Sequence, residues 1–315
     1  MDFGLHLPLL DFGNNPFTLD QLIAYAETGW ELGFHALAAN DHLVFSKPWL
    51  DGPTALAAVI SHSGRMDLAT TVSLPTVRGP VPLAKSLGAI DRLSGGRLIA
   101  CVGPGSSARD YATVGIPFDE RWKRLDEAIQ VFRTLWDREG KVFRGNFYNT
   151  EGIMLEPFPA RESGPPIWVG SWGSTAGLQR VARLADGWLE SGYNTTPELF
   201  TKGWGQLQEF LVAAGKDPAF FPNAIATMWF YITEEEKEAE RMLHEVLAPT
   251  LNRPAAELRE RLPIGSAQDC AKKLAAYQNV GVQRIYLWPL ANELKQIKIF
   301  RDRVAPLIDE KSKQN

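Results

Sequence analysis

Cysteine is scarce in this sequence, and its scarcity excludes one class of protein. The 315 residues contain two cysteines, Cys101 in an apolar run and Cys270 in a helix-like run. Two cysteines are too few for the disulfide framework that stabilises small secreted domains. We therefore expect two free, buried thiols and a protein of a reducing compartment.

Long apolar runs are also missing. The first residues, MDFGLHLPLLDFGNNP, include an acidic residue at Asp2 and only a short apolar run. This segment fits neither a signal peptide, which has a basic start, nor a membrane span, which needs about 20 apolar residues. We predict a cytoplasmic protein without a membrane partner.

No block of like charges occurs, although charged residues are plentiful. The chain has 33 Lys and Arg residues and 37 Asp and Glu residues, for a net charge of −4. Because an electrostatic nucleic-acid site needs clustered basic residues, we predict no nucleic-acid partner. The five histidines lack a metal-ligand spacing such as H-x-x-x-H, so no metal site is predicted. A small-molecule substrate is the partner we expect.

Short apolar runs alternate with longer amphipathic stretches from one end of the chain to the other. This alternation is typical of parallel strands joined by helical crossovers. Eight such units in a chain that is 45% hydrophobic predict an α/β fold, a (β/α)8 TIM barrel, in one domain over residues 1–315. The predicted strands are residues 3–7, 36–39, 68–74, 98–102, 167–170, 187–190, 224–232 and 284–288.

Two stretches exceed what a minimal barrel needs, and we predict loop insertions there. Residues 143–166 are punctuated by Gly and Pro and predict a hairpin-like excursion. Residues 248–265 predict a helical insertion over the barrel mouth, and either insertion is a candidate lid. Helix starts are predicted at Thr18, Asp119 and Ser266, whose side chains suit an N-cap.

Glycines follow the fourth predicted strand, in the stretch RLIACVGPGSSARD at 97–110. The order G-x-G-x-x-A is also found at nicotinamide-dinucleotide sites, but there it occupies the first βα turn and needs an acid about 20 positions later. Here the acid at that spacing, Asp126, falls within a predicted helix. We therefore disfavour a nicotinamide site and interpret Gly103 and Gly105 as positions where the backbone closely approaches another group.

In a TIM barrel the active site forms at the carboxyl ends of the strands. Segments rich in small hydrogen-bonding residues follow or end several predicted strands: NDHLVF at 40–45, ATTVSLPTVR at 69–78, VGPGSS at 102–107 and VGSWGSTA at 169–176. The last one combines glycines, hydroxyls and a helix start, a pattern typical of phosphate-binding loops. Its candidate phosphate-binding residues are Gly170, Ser171, Gly173, Ser174 and Thr175.

Four segments occur in a characteristic order: NDHL at 40–43, PLAKSLGAIDRLSGGRLIACVGPG at 82–105, GIPFDERWKRLDEAIQVFRTLW at 115–136 and PPIWVGSWGSTAGLQRVARLADGW at 165–188. In these segments, over nearly its whole length, the chain resembles the luciferase-like superfamily of flavin and deazaflavin oxidoreductases. The resemblance implies a (β/α)8 barrel with insertions. It also implies a flavin-type cofactor that binds reversibly, with its phosphate at the segment after the fifth strand.

His42 is the residue that we expect to carry chemistry. An imidazole exchanges a proton near neutral pH, and the resemblance places His42 beside the reactive face of the cofactor ring. There it takes part in catalysis or holds the cofactor, with Asp41 next to it in the cofactor site. The alternative is a histidine that packs at the end of a strand or caps a helix.

The resemblance also assigns roles to residues after the third and fourth strands. It implies a bulge or a non-proline cis peptide at Thr71 and Val72, behind the ring. The alternative is an ordinary barrel strand, which β-branched residues suit well. Gly103 and Gly105 are expected to let the backbone pass close to the ring or the ribityl chain.

One position departs from the family pattern. Sugar-phosphate dehydrogenases that use the deazaflavin carry an acidic Glu after the glycines of the fourth strand, where this chain has Ser106. A serine hydroxyl donates hydrogen bonds but is a poor proton source at neutral pH. We therefore do not expect a sugar-phosphate dehydrogenase. Ser106 stays a candidate catalytic residue that hydrogen-bonds the substrate or the cofactor.

The function that we favour from the sequence is hydride transfer with the deazaflavin coenzyme F420. An FMN-dependent two-component monooxygenase and a non-catalytic flavin-binding protein are the alternatives. The deazaflavin ring passes hydride but does not activate oxygen, so the cofactor decides the reaction class. Because no nicotinamide site is predicted, we expect a separate flavin or deazaflavin reductase as a partner. We also expect a homo-oligomer.

Overall fold

The strands of the computed structural model follow the apolar runs of the sequence. The structure describes residues 1–13 and 17–312, so residues 14–16 and 313–315 of the predicted domain lie outside the described part. Eight parallel strands close into a barrel surrounded by helices, which confirms the predicted (β/α)8 fold. The strands of the described residues are β1 Asp2–His6, β2 Ala36–Ala39, β3 Asp67–Thr70, β4 Leu98–Val102, β5 Ile167–Gly170, β6 Gly187–Ser191, β7 Asn223–Ile232, β8 Ile264–Gly265 and β9 Arg284–Pro289.

The barrel closes through two pairings, β1 with β9 and β6 with β7. Neighbours around it run in the order β1, β2, β3, β4, β5, β6, β7 and β9, and all are parallel. The two-residue strand β8 pairs with the far end of β7, where Ile264 lies opposite Tyr231, and takes no place in the ring. Because the barrel strands are parallel, their carboxyl ends all open on one face.

Helices cover the outside of the barrel, and two of them begin at predicted caps. Thr18 accepts a hydrogen bond from the Gln21 N–H, and Ser266 accepts one from the Asp269 N–H. The α-helices of the described residues are α1 Leu19–Glu31, α2 Gly52–Ala58, α3 Pro75–Arg78, α4 Pro80–Leu93, α5 Ala108–Thr113, α6 Arg121–Trp136, α7 Thr175–Leu184, α8 Pro197–Ala213, α9 Glu236–Arg241, α10 Ala248–Leu251, α11 Ala255–Arg261, α12 Ala267–Asn279, α13 Glu293–Ile299 and α14 Ala305–Ser312.

The barrel lumen is filled with side chains. The small residues Ala36, Ala38 and Ala69 lie there together with the bulky Trp168 and Tyr286, all of them buried. The outward faces of the strands pack against the helices in a larger apolar cluster. Because the lumen is a packed core, a ligand cavity has room to form only at the ends of the strands.

Two predictions are wrong in detail. The third strand ends at Thr70 rather than at residue 74, because the backbone is irregular between Thr70 and Ser73. Ser73 pairs with Val102 only as an isolated bridge. Asp119 does not begin a helix. It lies in a 3₁₀ turn, Phe118–Glu120, and α6 starts only after this tighter turn.

The two predicted insertions contain secondary structure of their own. Residues 143–166 hold an antiparallel bridge between Arg144 and Asn149, and residues 248–265 hold α10, α11 and β8. Both cysteines are buried and free. Within residues 1–13 and 17–312, no helix combines the length and the apolar character that crossing a membrane requires.

Candidate functional site

A cavity of about 530 Å³ opens at the carboxyl ends of the barrel strands. This volume is typical of a small-molecule or cofactor site. Two of the predicted site residues, Gly173 and Thr175, do not line the cavity, and residues 143–166 and 248–265 contribute nothing to its wall. The structure therefore brings together most of the predicted residues, and a lid role for either insertion stays a prediction. The predicted residues that line the cavity are Asp41, His42, Thr71, Val72, Gly103, Gly105, Ser106, Gly170, Ser171 and Ser174.

His42 is held in one orientation by a buried carboxylate of α5, which the sequence analysis did not identify. Nδ1 of His42 lies 2.8 Å from Oδ2 of Asp110, whose side chain is 1% exposed. Burial alone would raise the pKa of Asp110, but hydrogen bonds from His42 and from the backbone of Val44 and Leu43 bring it below its ordinary value. An ionised carboxylate only accepts, so the proton lies on Nδ1. Among the described residues Nε2 has no hydrogen-bond partner.

Asp41 lines the cavity, but its carboxylate binds other protein groups. It accepts hydrogen bonds from Nε of Arg78 at 2.7 Å and from the Leu74 N–H at 3.2 Å. Arg78 also binds Asp51. These contacts join the end of β2 to the segment after β3. Asp41 therefore positions the cavity wall, and its carboxylate is already satisfied within the protein.

The Thr71–Val72 peptide is cis, one of the two geometries that the sequence left open. The Val72 side chain is seated between two predicted glycines. An ideal Cβ on Gly103 would lie 2.8 Å from Cγ2 of Val72, and one on Gly170 would lie 3.1 Å from Cγ1. Real Cβ atoms do not tolerate the shorter distance, so Gly103 makes room for Val72. Together these residues form part of the cavity floor.

Gly105 makes a similar accommodation for a different side chain. Its φ is +73°, which favours glycine, and an ideal Cβ there would lie 3.0 Å from Cδ2 of Leu74. Both glycines therefore make room for protein side chains, Val72 and Leu74. They also line the cavity, and a close approach of their backbone to a cofactor stays a prediction.

The loop between β5 and α7 supplies an unpaired hydroxyl. Ser171 is 3% exposed, lines the cavity, and its Oγ has no hydrogen-bond partner among the described residues. A Cβ on Gly177, in the first turn of α7, would lie 2.3 Å from this oxygen, so the hydroxyl lies against the start of the helix. Ser174 caps α7 by accepting from the Gly177 N–H at 3.2 Å, whereas Oγ1 of Thr175 accepts from Gln206 at 3.3 Å.

His6 does not line the cavity but contacts residues that do. It is fully buried at the end of β1, and burial lowers its pKa to about 3, so the imidazole is neutral. Its Nε2 accepts from the Thr227 N–H at 3.1 Å, and its Nδ1 lies 3.4 Å from Oγ1 of Thr71. The ring stacks on Trp288 at 4.3 Å. His6 therefore supports two cavity residues from inside the barrel.

Glu190 is a cavity residue that the sequence analysis missed. It is 4% exposed at the end of β6, and Oε1 accepts one hydrogen bond, from the Ser191 N–H at 3.2 Å. Burial raises its pKa to about 8, because that single bond only partly opposes the loss of hydration. Near neutral pH Glu190 is therefore mostly a neutral acid that can donate a hydrogen bond. Its place at the end of a predicted strand was the available signal.

An aromatic and basic group lines the cavity from the start of α6. It comprises Phe118, Arg121 and Trp122, and Trp172 from the β5–α7 loop also reaches the cavity. The guanidinium of Arg121 lies 4.0 Å from the Phe118 ring centroid. The sequence segment FDERW contains three of these residues, but nothing in it showed that a helix start would face the cavity. No group of three or more acidic, His or Cys side chains suited to a metal ion occurs in the described residues.

Comparison with known proteins identifies the family. A model of the luciferase-like monooxygenase family matches residues 3–284. The chain belongs to this family. The match includes every segment that carried the resemblance, from NDHL to ADGW, and all the predicted site residues.

Relatives of this luciferase-like protein include an F420-dependent dehydrogenase. The F420-dependent hydroxymycolic acid dehydrogenase of Mycobacterium tuberculosis is 28% identical over 235 residues, which cover 71% of this chain and 62% of that protein. The chain spans 57% of the length of uncharacterized mycobacterial proteins that it matches at 32% identity. The family and its named relatives support an oxidoreductase.

Solved structures share the fold at low sequence identity. An F420-dependent secondary alcohol dehydrogenase, in complex with an F420-acetone adduct, superposes with a TM-score of 0.84 at 18% identity, covering 98% of both chains. The oxygenating constituent of 3,6-diketocamphane monooxygenase of Pseudomonas putida, in complex with FMN, superposes with a TM-score of 0.75 at 17% identity, covering 98% of both chains. At these identities the likeness shows the fold alone.

Proposed function

We propose that this luciferase-like protein is an oxidoreductase that binds a flavin-type cofactor reversibly in the strand-end cavity. The observation that carries the proposal is Ser171, a buried hydroxyl without an internal partner, at the first turn of α7 and in the same cavity as His42. A phosphate group there would accept a hydrogen bond from the Ser171 hydroxyl and face the positive end of α7. The residues present therefore fit the phosphate of such a cofactor.

Of the two candidate cofactors we favour coenzyme F420. The F420-dependent relative and the F420-dependent structural neighbour support this choice, and the FMN-bound neighbour supports FMN as the second candidate. When bound, F420 supplies hydride chemistry, whereas reduced FMN supplies oxygen activation. With either cofactor we propose a separate reductase as partner, a small-molecule substrate and a homo-oligomer in the cytoplasm.

Different residues of the cavity have different proposed roles. Asp110 keeps the proton on Nδ1 of His42, so Nε2 exchanges a proton with the bound ligands. Val72 would offer an apolar contact to the cofactor, and Ser106 would offer a hydroxyl to substrate or cofactor, since both line the cavity. The cavity holds His42 and Ser106 beside the proposed cofactor-binding residues, which favours an enzyme over a protein that only sequesters the cofactor.

A titration of the apoprotein with FMN and with coenzyme F420, followed by fluorescence, tests the cofactor proposal. We expect a Kd in the micromolar range or below for one of them and weak binding of the other. Replacing Ser171 with Ala removes one hydrogen bond to the phosphate and should weaken binding about 5- to 10-fold, equivalent to about 1 kcal/mol. Thr175→Ala is the matched control, since that neighbouring hydroxyl lies outside the cavity. If wild-type protein binds neither cofactor, the proposed function is wrong.

His42→Asn tests the catalytic role. The substitution keeps polarity but removes the imidazole proposed to exchange a proton, so turnover of the reduced cofactor should fall by about 10²-fold or more while cofactor affinity changes little. His62→Asn is the control, because His62 pairs with Glu27 and does not line the cavity. A loss of affinity without a loss of turnover would make His42 a positioning residue.

A further inference from the structure

Arg121 differs from the other ionisable side chains that line the cavity. Asp41 is hydrogen-bonded to Arg78, and His42 is hydrogen-bonded to Asp110. Glu190 is a mostly neutral acid near pH 7. Arg121 lines the cavity as a cation. No carboxylate among the described residues forms an ion pair with it.

Arg121 is held in place by contacts that leave its charge uncompensated. Nη1 donates to the Phe118 carbonyl at 2.9 Å, which uses one of the five N–H groups of the guanidinium. The guanidinium also packs on the Phe118 ring at 4.0 Å. The next arginine along the helix, Arg124, differs in this respect, because it bonds Glu120 at 2.8 Å and does not line the cavity. Arg121 is thus a preoriented cation with free donors at the cavity wall.

We propose that Arg121 binds an anionic group, a phosphate or a carboxylate, on the molecule that occupies the cavity. The planar fork of an arginine matches both groups and binds them through paired hydrogen bonds. Two sources have this chemistry: the phosphate of the cofactor side chain and an acidic group of the substrate. The inference rests on the proposed function only for the identity of the occupant.

The test compares FMN with riboflavin, two ligands that differ by one anionic group. They share a ring system, and only FMN carries the phosphate. Coenzyme F420 and its deazaflavin core form a second pair, in which the core lacks the phosphate together with the carboxylates attached beyond it. If Arg121 binds the cofactor phosphate, Arg121→Gln weakens binding of the phosphorylated member about 10-fold or more and leaves the other unchanged. Arg121→Lys retains part of the affinity, and Arg124→Gln behaves as wild type. Melting temperatures of the variants establish that they are folded.

A second arm addresses the substrate. If Arg121 binds a substrate carboxylate, the cofactor affinities of Arg121→Gln match those of wild type, and benzoate perturbs the absorption spectrum of the cofactor-loaded wild-type protein alone. Equal responses of wild type and Arg121→Gln in both arms overturn the inference. If wild type binds no cofactor, the proposed function fails separately. Thermal protection by inorganic phosphate or benzoate then decides: loss of protection in Arg121→Gln supports the inference, and its absence or persistence in both proteins overturns it.

Discussion

Glu190 gives the folding stability of this protein a pH dependence whose sign and size follow from burial. Its pKa is about 8 in the folded protein, against an ordinary value of 4.5 for a glutamate side chain. Between these two values the folded state keeps a proton that the unfolded state has lost, so the free energy of unfolding falls as pH rises. The decline begins above about pH 4.5 and levels off above about pH 8.

The magnitude is large compared with the stability of a typical domain. An interval of about 3.5 pH units, at about 1.36 kcal/mol each, gives a destabilisation of up to about 5 kcal/mol. Whole domains have a free energy of unfolding of about 5 to 15 kcal/mol, so ionisation of this one carboxyl would remove a sizeable part of it. Replacing Glu190 with Gln keeps the shape of the side chain and removes its titration. The variant should therefore gain stability over wild type as pH rises.

Urea unfolding at pH 5, 7 and 9, followed by tryptophan fluorescence, measures the effect. Other titrating groups are common to both proteins, so the difference between variant and wild type isolates Glu190. We expect this difference to shift by several kcal/mol in favour of Glu190→Gln between pH 5 and pH 9. Glu209→Gln, at an exposed site on α8, should show no such change. Parallel pH curves for wild type and Glu190→Gln would refute the reasoning.

Two further predictions concern the cavity floor and His42. Asp110→Asn should lower turnover by about 10²-fold, because an amide no longer enforces the proton on Nδ1 of His42; steady-state rates across pH would show it, and a full rate would contradict the pairing. Gly103→Ala should destabilise the protein by about 1 to 3 kcal/mol, since the new Cβ would lie 2.8 Å from Val72; unchanged urea unfolding would mean that Val72 moves aside freely. Gly205→Ala is the control, because a Cβ there has open space around it. Gly215→Ala would not serve, because Gly215 has a φ of +74°, which favours glycine.

The barrel was predictable from the sequence because it depends on local patterns. The apolar runs at 36–39, 98–102 and 167–170 coincide with β2, β4 and β5, since a buried parallel strand is continuously apolar. The third strand was predicted too long. Its β-branched residues suit a strand, and nothing in TTVSL distinguishes a regular ladder from the interrupted one observed. Asp119 failed as a cap because the chain enters α6 through a 3₁₀ turn, a common feature of helix N-termini, so that the α-helix begins only at Arg121.

The site was predictable in its location and only partly in its chemistry. Strand ends could be collected by rule, so His42 and Ser171 could be named. Asp110 could not, because its contact with His42 spans 68 positions of chain. The raised pKa of Glu190 follows from its burial, which the sequence does not give. That Arg121 lacks an ion pair is known only once the partners of the neighbouring charged groups are known. Pairing and burial over long sequence separations are properties of the folded chain, which a single sequence does not display.

His6 has a consequence for how this site could diversify. One neutral imidazole bonds the backbone N–H of Thr227 and contacts the hydroxyl of Thr71, while its ring is stacked on Trp288. His6 thus contacts both the segment after β3 and strand β7, which lie on opposite sides of the barrel. One buried ring therefore helps to fix the distance between these two cavity walls. Substitutions in the loops above can alter what enters without changing the spacing of the walls below. The loops could therefore change to admit a new substrate while the residues that His6 holds, Thr71 and Thr227, keep their positions.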